Sequence, residues 1–468
     1  MSHVLVIGNG PAAHRLVERL RHHEHHGPIT VLGQEPRPAY NRVLLASVLD
    51  GTLSPDSVTL PESEAQVRLG VTATAIDPAR RLVRTTTGVV HRYDELVLAT
   101  GARATVPGIP GVRSGNGGLA DGVTTLRTLA DCERIAGDAQ RAVVLGGGVL
   151  GVETARGLQG RGIDVTLVHP QPHPMDRQLD AAGGELLAEH LRGMGVATEL
   201  GRRAVTYRPG ELVLDDGRVL RADALVLCTG VRPETETART AGLAVGRGVL
   251  VDDRMRTTDP HVHAIGDCAE HDGLVPGLIA PAWEQADVLA QVLTGGHARY
   301  APAGSVTRLK ARGIDLSAIG AASSLDGSRT DVELVTVADP ARGRYAKLAL
   351  RRDRVAGAVL IGFPQAGAAI GQLHERDLPV PADRLGLLLG GGAPERSAPA
   401  ELADDAVLCR CNNVTKNRLV RAFHDGARDA GALARATRAT TGCGGCGDEV
   451  RRLCGALLET STEQEGAA

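Results

Sequence analysis

Two glycine-rich turns, each placed where an apolar run gives way to a helical pattern, constrain this chain more than any other feature. Residues 4–7 form a short buried-strand run, followed by Gly8-Asn9-Gly10-Pro11-Ala12-Ala13 and an amphipathic segment from Arg15 to Leu20. The pattern recurs from Ala142 to Leu145, through Gly146-Gly147-Gly148-Val149-Leu150-Gly151, into Glu153 to Leu158, and Val165 to Val168 completes a βαβ unit. Such a turn suits a pyrophosphate. Its first glycine permits the turn, its second lets backbone approach the phosphate, and the helix N-terminus favours the anion. Ala13 replaces the third glycine of the first copy, and Pro11 falls where no N–H donor is needed. Two copies predict an α/β chain with two doubly wound dinucleotide-binding domains.

With 468 residues, 43% of them hydrophobic, the chain has room for about three or four domains. Strands at 95–99 and 224–228 each close on a Thr-Gly turn, Thr100-Gly101 and Thr229-Gly230. From 301 to 389 the texture changes to shorter alternating strands, such as Lys347 to Leu350 and Val355 to Ile361 around a turn at Arg351-Arg352-Asp353, predicting an α+β third domain. Residues 390–403 are rich in Gly, Pro and Ala and read as a linker. A small helical, cysteine-bearing domain is expected over 404–458, followed by a polar tail. A net charge of −3 gives no electrostatic footprint for nucleic acid or an anionic membrane, and no stretch approaches the roughly 20 apolar residues of a membrane span. Without a signal-peptide pattern, and with few cysteines per residue, the expected compartment is the reducing cytoplasm.

The first glycine turn, Tyr40-Asn41-Arg42, Ala99-Thr100-Gly101, the second glycine turn and Gly266-Asp267 occur in an order that resembles the two-dinucleotide-fold flavoprotein reductases, over about residues 1–300. The resemblance implies FAD held by 1–118 and 229–300, with an NAD(P)-binding domain over 119–228 inserted between them. It gives the turn from Gly8 to Ala13, with Thr100 and Gly101, to FAD, places Arg42 near the pyrophosphate and Asp267 on the ribityl chain, and brings the helix start Pro281-Ala282-Trp283-Glu284-Gln285 towards the flavin. Glu35, after the second strand, is expected at the adenosine ribose. Gly146, Gly148, Val149, Leu150 and Gly151 would take NAD(P), with Glu153 facing the nicotinamide. Plainer readings are a packing role for Trp283 and an exposed first-turn position for Glu153. His169 ends the strand at which an acid ordinarily binds the ribose 2′-OH and an arginine accommodates a 2′-phosphate. With Arg177 further on, both nucleotides stay open and NADH is the expected one.

Disulfide reductases of this fold carry a redox cysteine pair in the helix that here reads Tyr40 to Leu49, and that segment has no cysteine. Cys132, Cys228 and Cys268 stand alone in apolar or helical context and read as structural thiols. The electron exit is expected at Cys409-Arg410-Cys411 and Cys443-Gly444-Gly445-Cys446. Four thiolates suit a [2Fe–2S] cluster or a structural zinc. Cys-x-Cys is an unusual zinc half-site, and a flavin donor in the same chain favours iron and sulfide. The flanking residues resemble the bacterioferritin-associated ferredoxin domain. Cys454 falls on a helical pattern with Val450 and Leu453 and reads as core, and the run Arg21 to His26 reads as a solvated loop rather than a metal site.

Hydride would pass from NAD(P)H to FAD, a step that needs orientation more than acid–base residues, so no catalytic side chain is assigned. Single electrons would then leave through the cluster. Over nearly its full length the chain resembles the N-terminal part of the large subunit of NAD(P)H-dependent assimilatory nitrite reductases, most specifically at Ala39 to Leu45 and Arg177-Gln178-Leu179-Asp180. The sequence stops soon after the last cysteines, with no set for a sirohaem–[4Fe–4S] centre, and the expectation is that it does not itself reduce nitrite. The resemblance in kind is then to electron-transfer subunits of assimilatory nitrate reductases, which implies a separate catalytic subunit as partner. A reductase for another acceptor, such as a separate nitrite reductase or a ferredoxin-type carrier, and a non-catalytic redox sensor are the alternatives. An oligomer is compatible with all three.

Overall fold

Val4–Ile7 is buried along its whole length, as a strand with both faces covered must be. In the computed structural model it is the middle strand of a five-stranded parallel sheet, ordered Val262–Ala264, Glu95–Leu98, Val4–Ile7, Ile29–Gly33, Gln66–Leu69. The structure describes all residues except 1, 136, 138, 303, 305, 326–330, 391–401, 410–413, 441–445 and 467–468. Arg141–Leu145 holds the same place in a second five-stranded parallel sheet, ordered Val196–Leu200, Asp164–His169, Arg141–Leu145, Ala224–Leu227, Val123–Thr125. The second sheet is built entirely from chain lying between Glu95–Leu98 and Val262–Ala264, so it is an insertion into the first. In each sheet the strand order reverses at the middle strand, which opens a crevice at the carboxyl ends of the strands.

The chain crosses between the two sheets on Ala102–Ala104 and Val231–Pro233, which pair antiparallel. Equivalent threonines tie opposite arms of this crossing: Thr100 Oγ1 donates to the Glu234 carbonyl at 2.7 Å, and Thr229 Oγ1 donates to the Thr105 carbonyl at 2.6 Å.

A five-stranded antiparallel sheet follows, ordered Val306–Arg308, Leu316–Ile319, Arg354–Ile361, Arg344–Arg351, Glu333–Asp339. The expected hairpin is present. Its strands are longer than their apolar runs suggest, because Arg344 to Ala346 and Arg354 also pair, and its turn places Arg352 and Asp353 at φ 50° and 57°. Helix Pro364–Glu375 packs Ala366 and Ile370 against Leu348 and Leu360 of this sheet. The C-terminal region is helical: Lys416–His424, Ala430–Thr437 and Gly447–Gly466 enclose Leu419, Phe423, Leu433, Val450, Leu453 and Cys454. The last helix runs on to Gly466, past the point where composition suggests a tail. The expected linker lies almost wholly outside the described residues. Among the described residues, no helix is long and apolar enough to cross a membrane.

Asp180 fastens the second parallel sheet to the antiparallel one. It caps helix Ala181–Gly193 by accepting from the Gly183 N–H, and it accepts from Tyr345 Oη at 2.6 Å and Lys347 Nζ at 3.0 Å. Burial acts to raise this carboxyl, but the hydrogen bonds from Tyr345, Lys347 and Gly183 outweigh it and hold it below the ordinary aspartate range. A lowered folded pKa contributes stability above the unfolded-state value and loses it as pH falls through the folded value. Asp180→Asn is therefore expected to cost about 2 kcal/mol at pH 7 in chemical denaturation. The gap from the parent chain should close as pH drops below about 4.

Candidate functional site

Gly8 and Gly146 occupy equivalent points at the ends of the two middle strands, each with φ 112°. A Cβ on Gly8 would lie 2.1 Å from the Ala99 carbonyl oxygen, and one on Gly146 would lie 2.3 Å from that of Cys228. Each turn thus packs against the Thr-Gly turn beside it more closely than any side chain allows. Gly10 and Gly148 are different: a Cβ there would meet nothing within 4 Å, because both face open space. Ala13 is fully buried, whereas a Cβ on Gly151 would sit 1.7 Å from the Gly146 carbonyl oxygen, so the second helix approaches its own turn more tightly.

Helices Pro11–His22 and Val149–Gln159 start directly after Gly10 and Gly148, with no side-chain cap and no acidic residue in the first turn. Asp180, Asp383, Thr415 and Asp429, by contrast, cap helices elsewhere. Helix Ile279–Leu293 also starts uncapped at the same crevice. First-turn N–H groups left this way suit an anion. The crevice is one continuous cleft of about 2900 Å³. An ordinary ligand pocket has roughly 300–1,000 Å³, so there is room for more than one large ligand.

The cleft gathers most of the residues singled out from sequence. Gly8, Asn9, Gly10, Pro11, Ala12, Glu35, Arg42, Thr100, Gly101 and Asp267 line it, as do Gly146, Gly148, Val149, Leu150, Glu153 and His169. Ala13 and Gly151 lie behind the surface as packing residues. Glu35 accepts from Tyr40 Oη at 2.7 Å and pairs with Arg42, and Arg42 also donates to Tyr40 Oη, so the three form one cluster. Asp267 pairs with Arg127 Nη2 at 2.6 Å, while the Gly266 N–H donates to Gln285 Oε1 at 2.7 Å. Trp283 is buried and also borders the cleft.

Glu153 is not the exposed first-turn residue of the plainer reading. It is buried, and it accepts the backbone N–H of Lys310 at 2.7 Å from the edge of the antiparallel sheet. Burial pushes its carboxyl upward, opposed by the Lys310 charge. His169 Nδ1 accepts from the Gly147 N–H at 3.0 Å, so the ring proton is on Nε2, which donates to Asp176 Oδ1 at 3.0 Å. Burial lowers the pKa of this imidazole and keeps it neutral at pH 7. Arg127, Lys310 and Asp176 were not marked by sequence. Arg127 and Lys310 meet the site through contacts between elements far apart in sequence, which leave no local pattern, and Asp176 is brought to it by the turn after the His169 strand.

Cys132, Cys228 and Cys268 are buried, and burial pushes the first two thiols up to about 12, as suits structural rather than reactive groups. Cys409 and Cys446 are buried in the C-terminal region, while Cys411 and Cys443 lie outside the described residues. Cys446 lines the same cleft as the two glycine turns, together with Leu408, Glu449 and Arg452. A four-cysteine set in which Cys409 and Cys446 are buried, with Cys446 at this wall, suits an iron–sulfur cluster. The region is held there by an ion chain: Arg438 donates to Glu18 at 3.0 Å, Glu18 lies 3.6 Å from Arg15, and Arg15 pairs with Asp287 at 2.8 Å. Glu18 and Arg15 belong to helix Pro11–His22, and Asp287 to helix Ile279–Leu293.

Three family models match the chain: pyridine nucleotide-disulphide oxidoreductase over residues 2–286, rubredoxin NAD+ reductase C-terminal domain over 306–373, and BFD-like [2Fe-2S] binding domain over 407–455. The nitrite reductase [NAD(P)H] of Bacillus subtilis (strain 168) is 32% identical over 99% of this chain and 59% of its own length. The assimilatory nitrate reductase electron transfer subunit of the same organism is 33% identical over 95% of this chain and 58% of its own. The chain thus spans less than two thirds of either relative. The crystal structure of a covalent putidaredoxin reductase–putidaredoxin complex matches with a TM-score of 0.74 and 25% identity, covering 84% of this chain and 99% of that one.

The two kinds of glycine should respond differently to a methyl group. Gly8→Ala is expected to destabilise the chain with or without ligand, by about 2 kcal/mol. Gly10→Ala is expected to leave the ligand-free chain within about 1 kcal/mol of the parent and yet to lower its retention of FAD. Denaturation of flavin-free chain, with flavin absorbance after gel filtration, separates the two.

Proposed function

The chain belongs to the pyridine nucleotide-disulphide oxidoreductase family, and within that family we propose that it is the electron-transfer component of an assimilatory nitrate reductase. It is an NAD(P)H-dependent flavin oxidoreductase with an FAD/NAD(P)H domain and a [2Fe-2S] binding domain. The observation that carries the electron-transfer reading is the shared cleft: Cys446 and both glycine turns open on it, so donor, carrier and exit would meet without a separate docking step. When bound, FAD would supply the conversion of a hydride into two single electrons and a proton.

The chain's own residues supply position and charge. Gly10 and the bare first turn of Pro11–His22 would take the FAD pyrophosphate, with Arg42 beside it and Glu35 towards the adenosine ribose. Thr100 and Gly101 would support the flavin, and Asp267, its carboxylate steadied by Arg127, would accept from the ribityl hydroxyls. Gly148 and the first turn of Val149–Gln159 would take the nicotinamide dinucleotide. Glu153, fixed by the Lys310 N–H, would stand beside the nicotinamide. The uncapped start of Ile279–Leu293 favours negative charge on a neighbouring flavin. None of these residues has to act as a nucleophile. Cys409, Cys411, Cys443 and Cys446 would hold the cluster, and the Arg438–Glu18 pair would keep it at the cleft wall. A cytoplasmic setting accords with NAD(P)H as donor.

The molybdenum-containing catalytic subunit of such a reductase would be the partner. Purified chain supplied with NADH and that partner is expected to drive nitrate reduction. Failure to do so while an artificial dye is still reduced would sink this assignment. The similarity to nitrite reductases favours a second reading, delivery to a nitrite-reducing unit, and substituting that partner in the same assay distinguishes them.

Cys443→Ser is expected to remove iron and labile sulfide and to abolish reduction of the acceptor protein. NAD(P)H-dependent flavin reduction should stay within about twofold of the parent in stopped flow. Equal loss of both would contradict the order of transfer. Glu18→Arg, which sets like charges against Arg438 and Arg15, should slow flavin-to-cluster transfer roughly tenfold without slowing flavin reduction.

A further inference from the structure

We propose that Asp176, oriented by His169, selects NADH over NADPH by accepting the hydroxyls of the adenosine ribose and repelling a 2′-phosphate. The assignment rests on the reading above that the second glycine turn takes the nicotinamide dinucleotide. In a fold of this class the strand after that turn ends beside the ribose, where an acid ordinarily stands. His169 cannot replace it directly, because both of its ring nitrogens are committed, Nδ1 to the Gly147 N–H and Nε2 to Asp176 Oδ1. What the ring does is carry a carboxylate to the place an acidic side chain would reach. Asp176 borders the cleft with its side chain 32% exposed, and one oxygen remains to accept from a ribose hydroxyl.

The backbone fixes the same position. Met175 is fully buried at φ 54°, its N–H donates to the Gly147 carbonyl at 2.8 Å, and its own carbonyl accepts from the N–H groups of Gln178 and Leu179 at 2.8 and 2.9 Å. A left-handed methionine persists only where its surroundings over-determine it. Both peptide groups of Gly147 are thus used to anchor the segment that presents Asp176. The neutral imidazole leaves the carboxylate charge uncancelled. Arg177 also lines the cleft and would favour a 2′-phosphate, but it is exposed and its charge is screened by solvent, whereas Asp176 is held.

Asp176→Asn keeps the size of the side chain and removes its charge. In the FAD-loaded full chain it is expected to lower the ratio of kcat/KM for NADH to that for NADPH at least about tenfold, mainly through better use of NADPH. Without turnover, calorimetry on the same protein should show 2′,5′-ADP gaining affinity relative to 5′-ADP. Asp176→Ser, which also drops the bond to His169, should shift both readouts in the same direction. A native chain that uses NADPH as well as NADH, or unchanged ratios in a folded variant, would overturn the assignment. If neither nucleotide reduces the flavin of the native chain, the nucleotide-site reading fails and this one with it.

Discussion

The close approach of Gly8 to the Ala99 carbonyl, repeated by Gly146 and the Cys228 carbonyl, is the constraint on which the rest of the molecule depends. Each contact presses the end of a middle strand against the turn of its neighbour, and this sets where the following helix begins. Pro11–His22 and Val149–Gln159 then point their uncapped first turns into open space. A methyl group at Gly8 or Gly146 would push strand and turn apart and re-aim the helix behind them. The anion-binding character of the cleft is therefore a packing property of the two sheets before it is a property of any polar side chain.

Around this duplicated core, the connections are polar and specific. Thr100 and Thr229 clasp the crossing strands in reciprocal fashion, Asp180 joins the second parallel sheet to the antiparallel one, and Glu18 joins the first to the helical C-terminal region through Arg438. Each joint uses a charged or hydroxyl group that is wholly or partly shielded, where a hydrogen bond to an ionised partner is worth more than at the surface. Their common effect is to converge four structural layers on one cleft instead of leaving each with its own pocket.

The sequence made the glycine turns and cysteine pairs visible because both are local demands. A φ of 112° or a thiolate pair at fixed spacing restricts which residue types can stand there. The two parallel sheets followed from the order of these turns, the antiparallel sheet from alternation and its hairpin turn, and the helical end from the resemblance around the cysteines. Contacts that join remote elements were not visible. Nothing near Glu153 announces that Lys310 will supply its hydrogen bond, and nothing near Glu18 announces Arg438. His169 drew notice by its place at a strand end, but the carboxylate it holds lies on a turn whose shape comes from a left-handed methionine. Even the end of the last helix escaped, since a polar stretch continues a helix as readily as it forms a tail.

Gly147 and His169 have a further consequence. A Cβ on Gly147 would lie 2.6 Å from His169 Cγ, so the imidazole occupies the volume that any larger residue would need. The two positions are locked together sterically. A lineage that keeps the histidine is confined to glycine at 147, and one that enlarges 147 must first give up the ring and, with it, the support of Asp176. Drift at this pair would then proceed by paired exchange, and a change of coenzyme preference would leave its trace in the glycine turn as well as at the strand end.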